Sequence, residues 1–193
     1  PTPSGPVNTK PNITVTGPSR VTMGNDATVN IAGSDPDGDP ISFSSFISNS
    51  YNVNGSFNQE GDSIVWFSAP GTYTARSIVS DGNLTAEDSH TITVDPVYPI
   101  PKLMKTGKEK VNKRIIIDAS GSTGGSSRYP IDWSRTEWTM NLISGIVQTD
   151  IKTKSSLIGS KQLDIAFIQQ GVVEVKVKVI NTAGYSSTAQ ITL

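Results

Sequence analysis

The sequence predicts an all-β protein that consists of two β-sandwiches in series. Residues 69–94 and 169–193 follow one pattern with a step of one hundred residues, so that Gly71 falls opposite Gly171. In both segments apolar side chains alternate with polar ones, which is typical of strands with one face in a core and the other in water. Each segment then passes through a turn into a second alternating strand, as expected for repeated sandwich domains.

The alternation also predicts which side chains face each core. The inward positions are Tyr73, Ala75, Ser77 and Val79 in the first copy, and Val173, Val175, Val177 and Val179 in the second. Upstream, residues 27–33 form a strand with Val29 and Ile31 inward. Residues 63–67 are apolar on both faces, as a central strand can be.

The upstream strands of the first copy have counterparts in the second. Residues 114–123, 131–140 and 162–168 take the roles of residues 27–35, 41–46 and 63–67. Residues 141–161 have no clean period, and either a hairpin with a long loop or a short helix fits them. We therefore predict an N-terminal linker at 1–7, a first sandwich at 8–96 and a second, divergent sandwich at 97–193.

Composition argues against several classes of partner. The 193 residues carry 16 Lys and Arg against 17 Asp and Glu, and this balance argues against nucleic acid and anionic membranes as bulk partners. No apolar run approaches the roughly 20 residues of a membrane helix, so no membrane insertion is expected. The chain has no Cys, so we expect stability from cores or ions rather than disulfides. No signal peptide is visible, and we expect the chain to be a piece of a longer protein.

Two motifs of the first copy, SDPDGDPISF (34–43) and APGTYTARSIVSDG (69–82), resemble the polycystic-kidney-disease (PKD) repeat. This repeat is an immunoglobulin-like sandwich that bacteria string along secreted and cell-surface proteins. IDASGST (117–123) and GVVEVKVKVINTAG (171–184) are similar to the same family, so the resemblance covers about residues 8–193. The family's W-D-F-G-D-G segment is absent from both copies, which leaves open a neighbouring immunoglobulin-like family, including cadherin-like repeats. The resemblance implies two tandem immunoglobulin-like β-sandwich domains.

The resemblance also implies a calcium site in the first copy. Calcium-binding members of the PKD family take ligands from the domain entrance, the D-x-D-G turn and the last loop. The residues at those positions are Asn8 and Thr9, Asp35 and Asp37, and Asp81. Ca²⁺ takes six to eight oxygen ligands, so carboxylates from two loops at one end of a sandwich can converge on it. The alternative is that Asp35 and Asp37 only cap the turn through backbone amides.

The second copy lacks these ligands. Thr123 and Gly125 align with Asp35 and Asp37, and Asn181 aligns with Asp81. Because neutral groups replace the carboxylates, we expect Ca²⁺ in the first domain alone.

The candidate catalytic side chains fit ordinary strand and turn positions. His90, the single histidine, shares the parity of Ile92 and Val94 in a strand, and no Cys or G-x-S-x-G motif supplies a nucleophile. Paired carboxylates can hydrolyse glycosides, but Glu60 and Asp62 flank a glycine as residues of a hairpin turn do. We therefore expect no enzyme activity and assign no catalytic residue.

Three tryptophans are candidates for a sugar-binding surface. Trp66 and Trp133 fit strand-core positions. Trp138 lies five residues after Trp133, so strict alternation places it on the opposite, exposed face. Trp138 is therefore the candidate ligand-binding residue, with Tyr129 and Tyr185 as its neighbours. Ordinary surface is the alternative interpretation.

These observations predict non-catalytic spacer or adhesion modules of a larger bacterial surface or secreted protein. The alternative is a carbohydrate- or matrix-binding accessory module of a secreted hydrolase. The expected location is extracellular or at the cell surface, and a monomer is expected. The expected partners are the flanking domains of the parent protein, and polysaccharide or extracellular matrix under the alternative.

Overall fold

The computed structural model describes residues 7–193, which form two compact units that meet at the Pro96–Val97 bond. We call residues up to Pro96 the first unit and Val97–Leu193 the second unit. Apart from Val7, the predicted linker at 1–7 lies outside the described residues. Between residues 7 and 193 no helix has the length and apolar character needed to cross a bilayer.

Within its described residues, 7–96, the first unit contains eight strands in two four-stranded sheets. In chain order they are β1 (Asn12–Thr16), β2 (Arg20–Thr22), β3 (Asp26–Ser34), β4 (Ser42–Ile47), β5 (Val53–Asn54), β6 (Gly61–Phe67), β7 (Gly71–Ser80) and β8 (Thr85–Asp95). One sheet has the order β1-β3-β6-β5 and the other β2-β8-β7-β4. All pairs are antiparallel except β2–β8, which is parallel. A 3₁₀ turn, Ser50–Asn52, precedes β5.

The second unit contains seven strands in two sheets. They are β9 (Met104–Gly107), β10 (Arg114–Asp118), β11 (Glu137–Ser144), β12 (Ile151–Thr153), β13 (Gln162–Phe167), β14 (Val172–Ile180) and β15 (Ser186–Thr192). One sheet has the order β12-β13-β10-β9 and the other β11-β14-β15. Short 3₁₀ turns occur at Trp133–Arg135 and Gln148–Asp150.

The strand order of both units is that of the immunoglobulin fold. When the seven strands of the second unit are lettered A to G along the chain, its sheets contain strands ABED and CFG, the constant-type arrangement. The first unit has the same two groups, with β2 added at the edge of the CFG sheet. The predicted fold class, two tandem immunoglobulin-like β-sandwiches, is confirmed.

The strands predicted to alternate do so. Along β7 the predicted inward residues are buried, as are all four predicted valines of β14. Val29 and Ile31 of β3 have no exposed surface. Burying a valine or isoleucine side chain stabilises a fold by about 1.5–3 kcal/mol, so these strands supply much of the driving force for each core.

Two strand predictions need correction. Residues 63–67 form a central strand, as predicted, because β6 lies between β3 and β5. Its outer face nevertheless meets solvent, since Ile64 is 65% exposed and Trp66 is half-buried on that same face. Residues 131–140, predicted as one strand, do not form one. Asp132 accepts a bond from the Ser134 amide (3.2 Å) and caps the 3₁₀ turn Trp133–Arg135, so that β11 starts at Glu137. Trp133 therefore packs against the core from a turn and not from a strand.

Tyr73 joins the start of β7 to the preceding corner of the first unit. Its ring is buried and packs against Phe67 with centroids 4.5 Å apart, and its hydroxyl donates to the Ala69 carbonyl oxygen at 2.8 Å. A tyrosine at the start of strand F that bonds a backbone group a few residues upstream is the tyrosine corner of immunoglobulin-like sandwiches.

We predict that Tyr73→Phe lowers the free energy of unfolding of the first unit by about 1–3 kcal/mol, because the Ala69 carbonyl loses its partner while the ring packing stays. Urea denaturation followed by circular dichroism measures this loss. Tyr129→Phe, in the second unit, is the control and should leave the transition of the first unit in place. A Tyr73→Phe variant as stable as the parent would show that the bond between Tyr73 and Ala69 does not stabilise this fold.

Candidate metal centre

The turn after β3 is built around the carboxylate of Asp35. Its Oδ1 atom accepts bonds from the backbone amides of Asp37 (2.8 Å) and Asp39 (3.2 Å). Gly38 has a φ of 81°, a left-handed conformation that glycine adopts without strain, and its amide donates to the Asp35 carbonyl oxygen at 3.3 Å. The capping role that the sequence offered as the alternative is therefore present.

Capping accounts for only one oxygen of Asp35. The second oxygen, Oδ2, is buried and has no hydrogen-bond partner among residues 7–193. One carboxylate oxygen each from Asp35, Asp37 and Asp39 lies within 4.8 Å of the other two. Because Ca²⁺ binds oxygens at about 2.3–2.6 Å, oxygens separated by up to about 5 Å can share one ion. A buried, unpaired carboxylate oxygen is costly, and a cation would remove that cost.

The entrance of the first unit is attached to the two loops that the sequence predicted. The Asn8 amide group donates to Oδ2 of Asp81 at 3.0 Å. The Thr9 backbone amide donates to Oδ2 of Asp37 at 2.5 Å. The entering chain is therefore held by the turn after β3 and by the loop between β7 and β8.

Asp81 is also engaged with its own loop. Its Oδ1 atom accepts bonds from the amides of Asn83 and Leu84, each at 2.7 Å. These two backbone bonds hold the pKa of the Asp81 carboxyl below its usual range. Asp81 is therefore a stable anion at neutral pH, with its oxygens directed at neighbouring donors.

The structure divides the five predicted ligands into a pair and a group of three, and adds one residue to the group of three. Asn8 contacts Asp81, and Thr9 contacts Asp37, which lies beside Asp35. Asp39 completes the cluster, although the prediction omitted it. The all-oxygen donor set suits a hard divalent cation such as Ca²⁺, and Asp35, Asp37 and Asp39 are the residues that would hold it.

The second unit attaches its entrance through neutral side chains: the Ser122 hydroxyl accepts from the Lys102 amide at 2.9 Å, and Asn181 binds the start of the entering chain. Asn181 has no exposed surface, and its amide group donates to the carbonyl oxygens of Val97 (2.8 Å) and Gly124 (3.0 Å). Its own oxygen accepts from the Tyr185 amide at 3.0 Å. One buried amide thus connects the entering chain, the loop after β10 and the loop between β14 and β15.

Gly125, which aligns with Asp37, lies too close to the entering chain to carry a side chain. Its φ is 90°, and a Cβ atom there would lie 2.2 Å from the Tyr98 carbonyl oxygen. That the second unit binds no calcium stays a prediction, which rests on the uncharged Thr123, Gly125 and Asn181 in place of three carboxylates.

The prediction that Trp138 is an exposed aromatic residue is wrong. Trp138 is 3% exposed, lies in the core of the second unit opposite Val177, and donates from Nε1 to the Ser160 carbonyl oxygen at 2.8 Å. The 3₁₀ turn at Trp133–Arg135 interrupts the alternation, so counting from Trp133 gave the wrong face. The two tyrosines expected beside it, Tyr129 and Tyr185, are half-buried.

The other titratable candidates have structural partners. His90 is half-buried on β8, as predicted, and its Nε2 lies 3.2 Å from the Pro18 carbonyl oxygen. Asp62 accepts a bond from Asn30 (2.8 Å), and Glu60 lies 3.4 Å from the Gly33 amide. These contacts connect neighbouring strands and loops.

No protein-family profile and no curated protein matches the chain. Solved structures that resemble it include titin domains Z1Z2 in complex with telethonin (14% identity, 93% of each chain, TM-score 0.48). The fibronectin(III)-like modules of Clostridium thermocellum CbhA share 18% identity over 94% of this chain and 92% of that chain, with a TM-score of 0.34. Human protocadherin-24 EC1-2 shares 12% identity over 97% and 96%, with a TM-score of 0.37. Each TM-score is below 0.5, so the fold assignment rests on this chain's own strand order.

Proposed function

We propose that the two units are non-catalytic spacer or adhesion modules of a larger extracellular or cell-surface protein. The observation that carries the proposal is common to both units: polar side chains attach the entering chain to the loops at the same end of the sandwich. Asn8 and Thr9 are attached through Asp81 and Asp37, and Val97 is attached through Asn181. Such attachment limits the directions from which a chain can enter a domain, which is what a spacer requires.

The D-x-D-G turn supports membership of the first unit in the PKD family. The motif occupies residues 35–38, directly after β3, and its Asp37 carboxylate bonds the entering chain at Thr9. The missing W-D-F-G-D-G segment is the main departure, and it affects the region of strand C. We therefore propose PKD-like repeats, with a bacterial surface or secreted protein as their setting.

We further propose that Ca²⁺ stabilises the first unit. The buried oxygen of Asp35 and the three adjacent carboxylates support this, since like charges at close range repel each other unless a cation lies among them. When bound, Ca²⁺ would neutralise this repulsion. The Thr9–Asp37 bond would then attach the entering chain to a rigid turn.

The calcium proposal predicts a change in thermal stability. Millimolar Ca²⁺ should raise the unfolding temperature of the first unit above its value in chelator, and at one hundred times the dissociation constant the gain is about 2.7 kcal/mol. Asp37→Asn keeps the side-chain shape but removes one charge, and should abolish most of this gain. Differential scanning calorimetry of the full chain, with and without Ca²⁺, is the measurement.

Asp62→Asn is the matched control, because Asp62 carries the same charge in the same unit but bonds Asn30. This variant should keep the full response to Ca²⁺. About 10 mM Ca²⁺ exceeds the dissociation constants of the weakest extracellular sites. If the parent melting curve did not change up to this concentration, the turn would be a capped loop that binds no calcium. Equal losses in Asp37→Asn and Asp62→Asn would indicate a general charge effect instead of a site.

The accessory-module alternative loses the residue on which it depended. Trp138 cannot stack on a sugar, because it is enclosed in the core of the second unit. Any saccharide site in this chain must therefore use other residues.

A further inference from the structure

Charge is divided unequally between the two units. Residues 1–96 carry three Lys and Arg against ten Asp and Glu, whereas residues 97–193 carry thirteen against seven. The formal charges are therefore −7 and +6, although the whole chain has a net charge of −1. The balanced charge of the whole chain therefore does not exclude a polyanionic partner of the second unit.

A polar cleft of about 540 Å³ lies within this basic unit. It is bordered by the segment between β12 and β13, by the start of β13, and by Ser120, which follows the end of β10. The lining side chains include two lysines, three serines and a glutamine: Lys154, Lys161, Ser120, Ser155, Ser160 and Gln162. Apart from one carboxylate, Asp164, these groups are positively charged or carry hydroxyl or amide donors.

Two carboxylates lie at the cleft, and both are engaged by neighbouring groups. Asp118, beside the lining, accepts from the Gln162 side-chain amide at 2.9 Å and from the Ser120 backbone amide at 2.7 Å. Asp164 forms an ion pair with Arg114 of the neighbouring strand.

Among the described residues, no carboxylate oxygen lies within 4 Å of the ammonium of Lys154 or Lys161. The Lys161 ammonium instead lies 5.4 Å from the centroid of the Trp133 ring, a cation–π contact that holds it in place.

The walls of the cleft are fixed by the core. The Trp138 backbone amide donates to the Leu157 carbonyl oxygen (2.8 Å), and its indole donates to that of Ser160 (2.8 Å). On the same wall, the Ser155 hydroxyl accepts from the Asp164 amide at 2.8 Å. The segment 154–161 is therefore held in place without a ligand, which lowers the entropic cost of binding.

We propose that this cleft binds an acidic polysaccharide, with Lys154 and Lys161 on its carboxylate or sulfate groups and the serine hydroxyls on its sugar hydroxyls. The inference is independent of the proposed spacer function and of Ca²⁺. Two unpaired ammonium groups beside neutral donors match a chain that alternates charged groups with hydroxyls.

Two other polyanions fit the observations less well. Single-stranded nucleic acid needs open aromatic faces for its bases, whereas no aromatic residue lines the cleft and the Lys161 ammonium lies over one face of the neighbouring Trp133 ring. The acidic first unit of a second copy is a folded domain, whereas the two lysines and the hydroxyl donors of the cleft match the repeating groups of a single extended chain.

Heparin and polygalacturonate are suitable sulfated and carboxylated probes, and dextran is the neutral control. Isothermal titration calorimetry of the full chain should show binding to an acidic probe that weakens as salt rises, and no binding to dextran. The double variant Lys154→Gln/Lys161→Gln should bind at least about tenfold more weakly, because each lost charge-assisted contact is typically worth about tenfold or more. Circular dichroism checks that the variant is folded.

The matched control is Lys110→Gln/Lys176→Gln, which removes the same charge from positions that do not line the cleft. It should lose less than about threefold, since exposed charges away from a site act only through the screened field. Equal losses of affinity in the two double variants, or no binding of either acidic probe at low salt, would overturn the proposal that the cleft binds an acidic polysaccharide. Equal or tighter binding of an oligonucleotide would assign the cleft to nucleic acid instead. Salt-sensitive dimers of the parent in sedimentation, absent from Lys154→Gln/Lys161→Gln, would assign it to a second copy.

Discussion

Trp138→Ala should destabilise the second unit by about 3–5 kcal/mol, the usual cost of removing a buried tryptophan from a core. Trp138 is 3% exposed and packs in the same cluster as Val175 and Val177. Its removal leaves a cavity between the two sheets and an unpaired carbonyl oxygen at Ser160. Urea denaturation followed by circular dichroism should show an earlier transition for this unit and an unchanged one for the first.

Two variants separate the causes of this loss. Trp138→Phe keeps an aromatic ring but lacks the indole donor, and should cost about 1–3 kcal/mol through the unpaired Ser160 oxygen, plus a smaller packing term. Trp133→Ala makes the same truncation at a half-buried turn residue, and should cost less than Trp138→Ala. If Trp133→Ala proved the more damaging of the two, the assignment of Trp138 to the centre of the core would be wrong.

Asn181→Asp should destabilise the second unit by at least about 3 kcal/mol at pH 7, the range seen when a buried charge lacks a partner. The carboxylate would replace a donor group that now faces the carbonyl oxygens of Val97 and Gly124. Burial beside these oxygens would raise the pKa of the new carboxyl in the folded protein above its unfolded value. The penalty should therefore be smallest at about pH 4, where the group is largely protonated, and grow as the pH rises through the folded pKa.

Asn141→Asp is the matched control, because Asn141 is an exposed strand residue that bonds Glu174 at 2.9 Å. The same chemical change there should cost about 1 kcal/mol or less, since water screens exposed charges. Denaturation of both variants and the parent at pH 4 and pH 7 gives the comparison. A loss for Asn181→Asp that did not depend on pH, or that matched Asn141→Asp, would contradict a buried attachment of the entering chain.

The sequence alone was sufficient where the structure depends on neighbours along one strand. The alternation of Val173, Val175, Val177 and Val179 identifies a strand with one buried face, because the period of two is a property of the extended backbone itself. The repeat at one hundred residues identified two copies of one fold, because the same alternation of apolar and polar side chains occurs at matching positions in both copies. The capped D-x-D-G turn could also be predicted from the sequence, since Asp35 caps backbone amides only two and four residues ahead.

The unequal charge of the two units was present in the sequence, but the net charge of the whole chain concealed it. A separate count for each predicted domain gives −7 and +6, whereas the whole chain gives −1. Because electrostatic potential depends on where charges lie, the sum over two domains conceals the basic one. The predicted boundary at residue 96 would have been enough to find it.

Tertiary structure decided the features that depend on residues far apart in the chain. One 3₁₀ turn at Trp133–Arg135 shifted the parity of β11 and moved Trp138 from the predicted surface into the core. The unpaired oxygen of Asp35 and the buried bonds of Asn181 depend on which loops meet at one end of a sandwich. The cleft likewise needs the segment 154–161 to lie beside Ser120, more than thirty residues earlier. Strand pattern determines which residues face a core, but only the packing of distant segments determines which polar groups lack a partner and are available to bind a ligand.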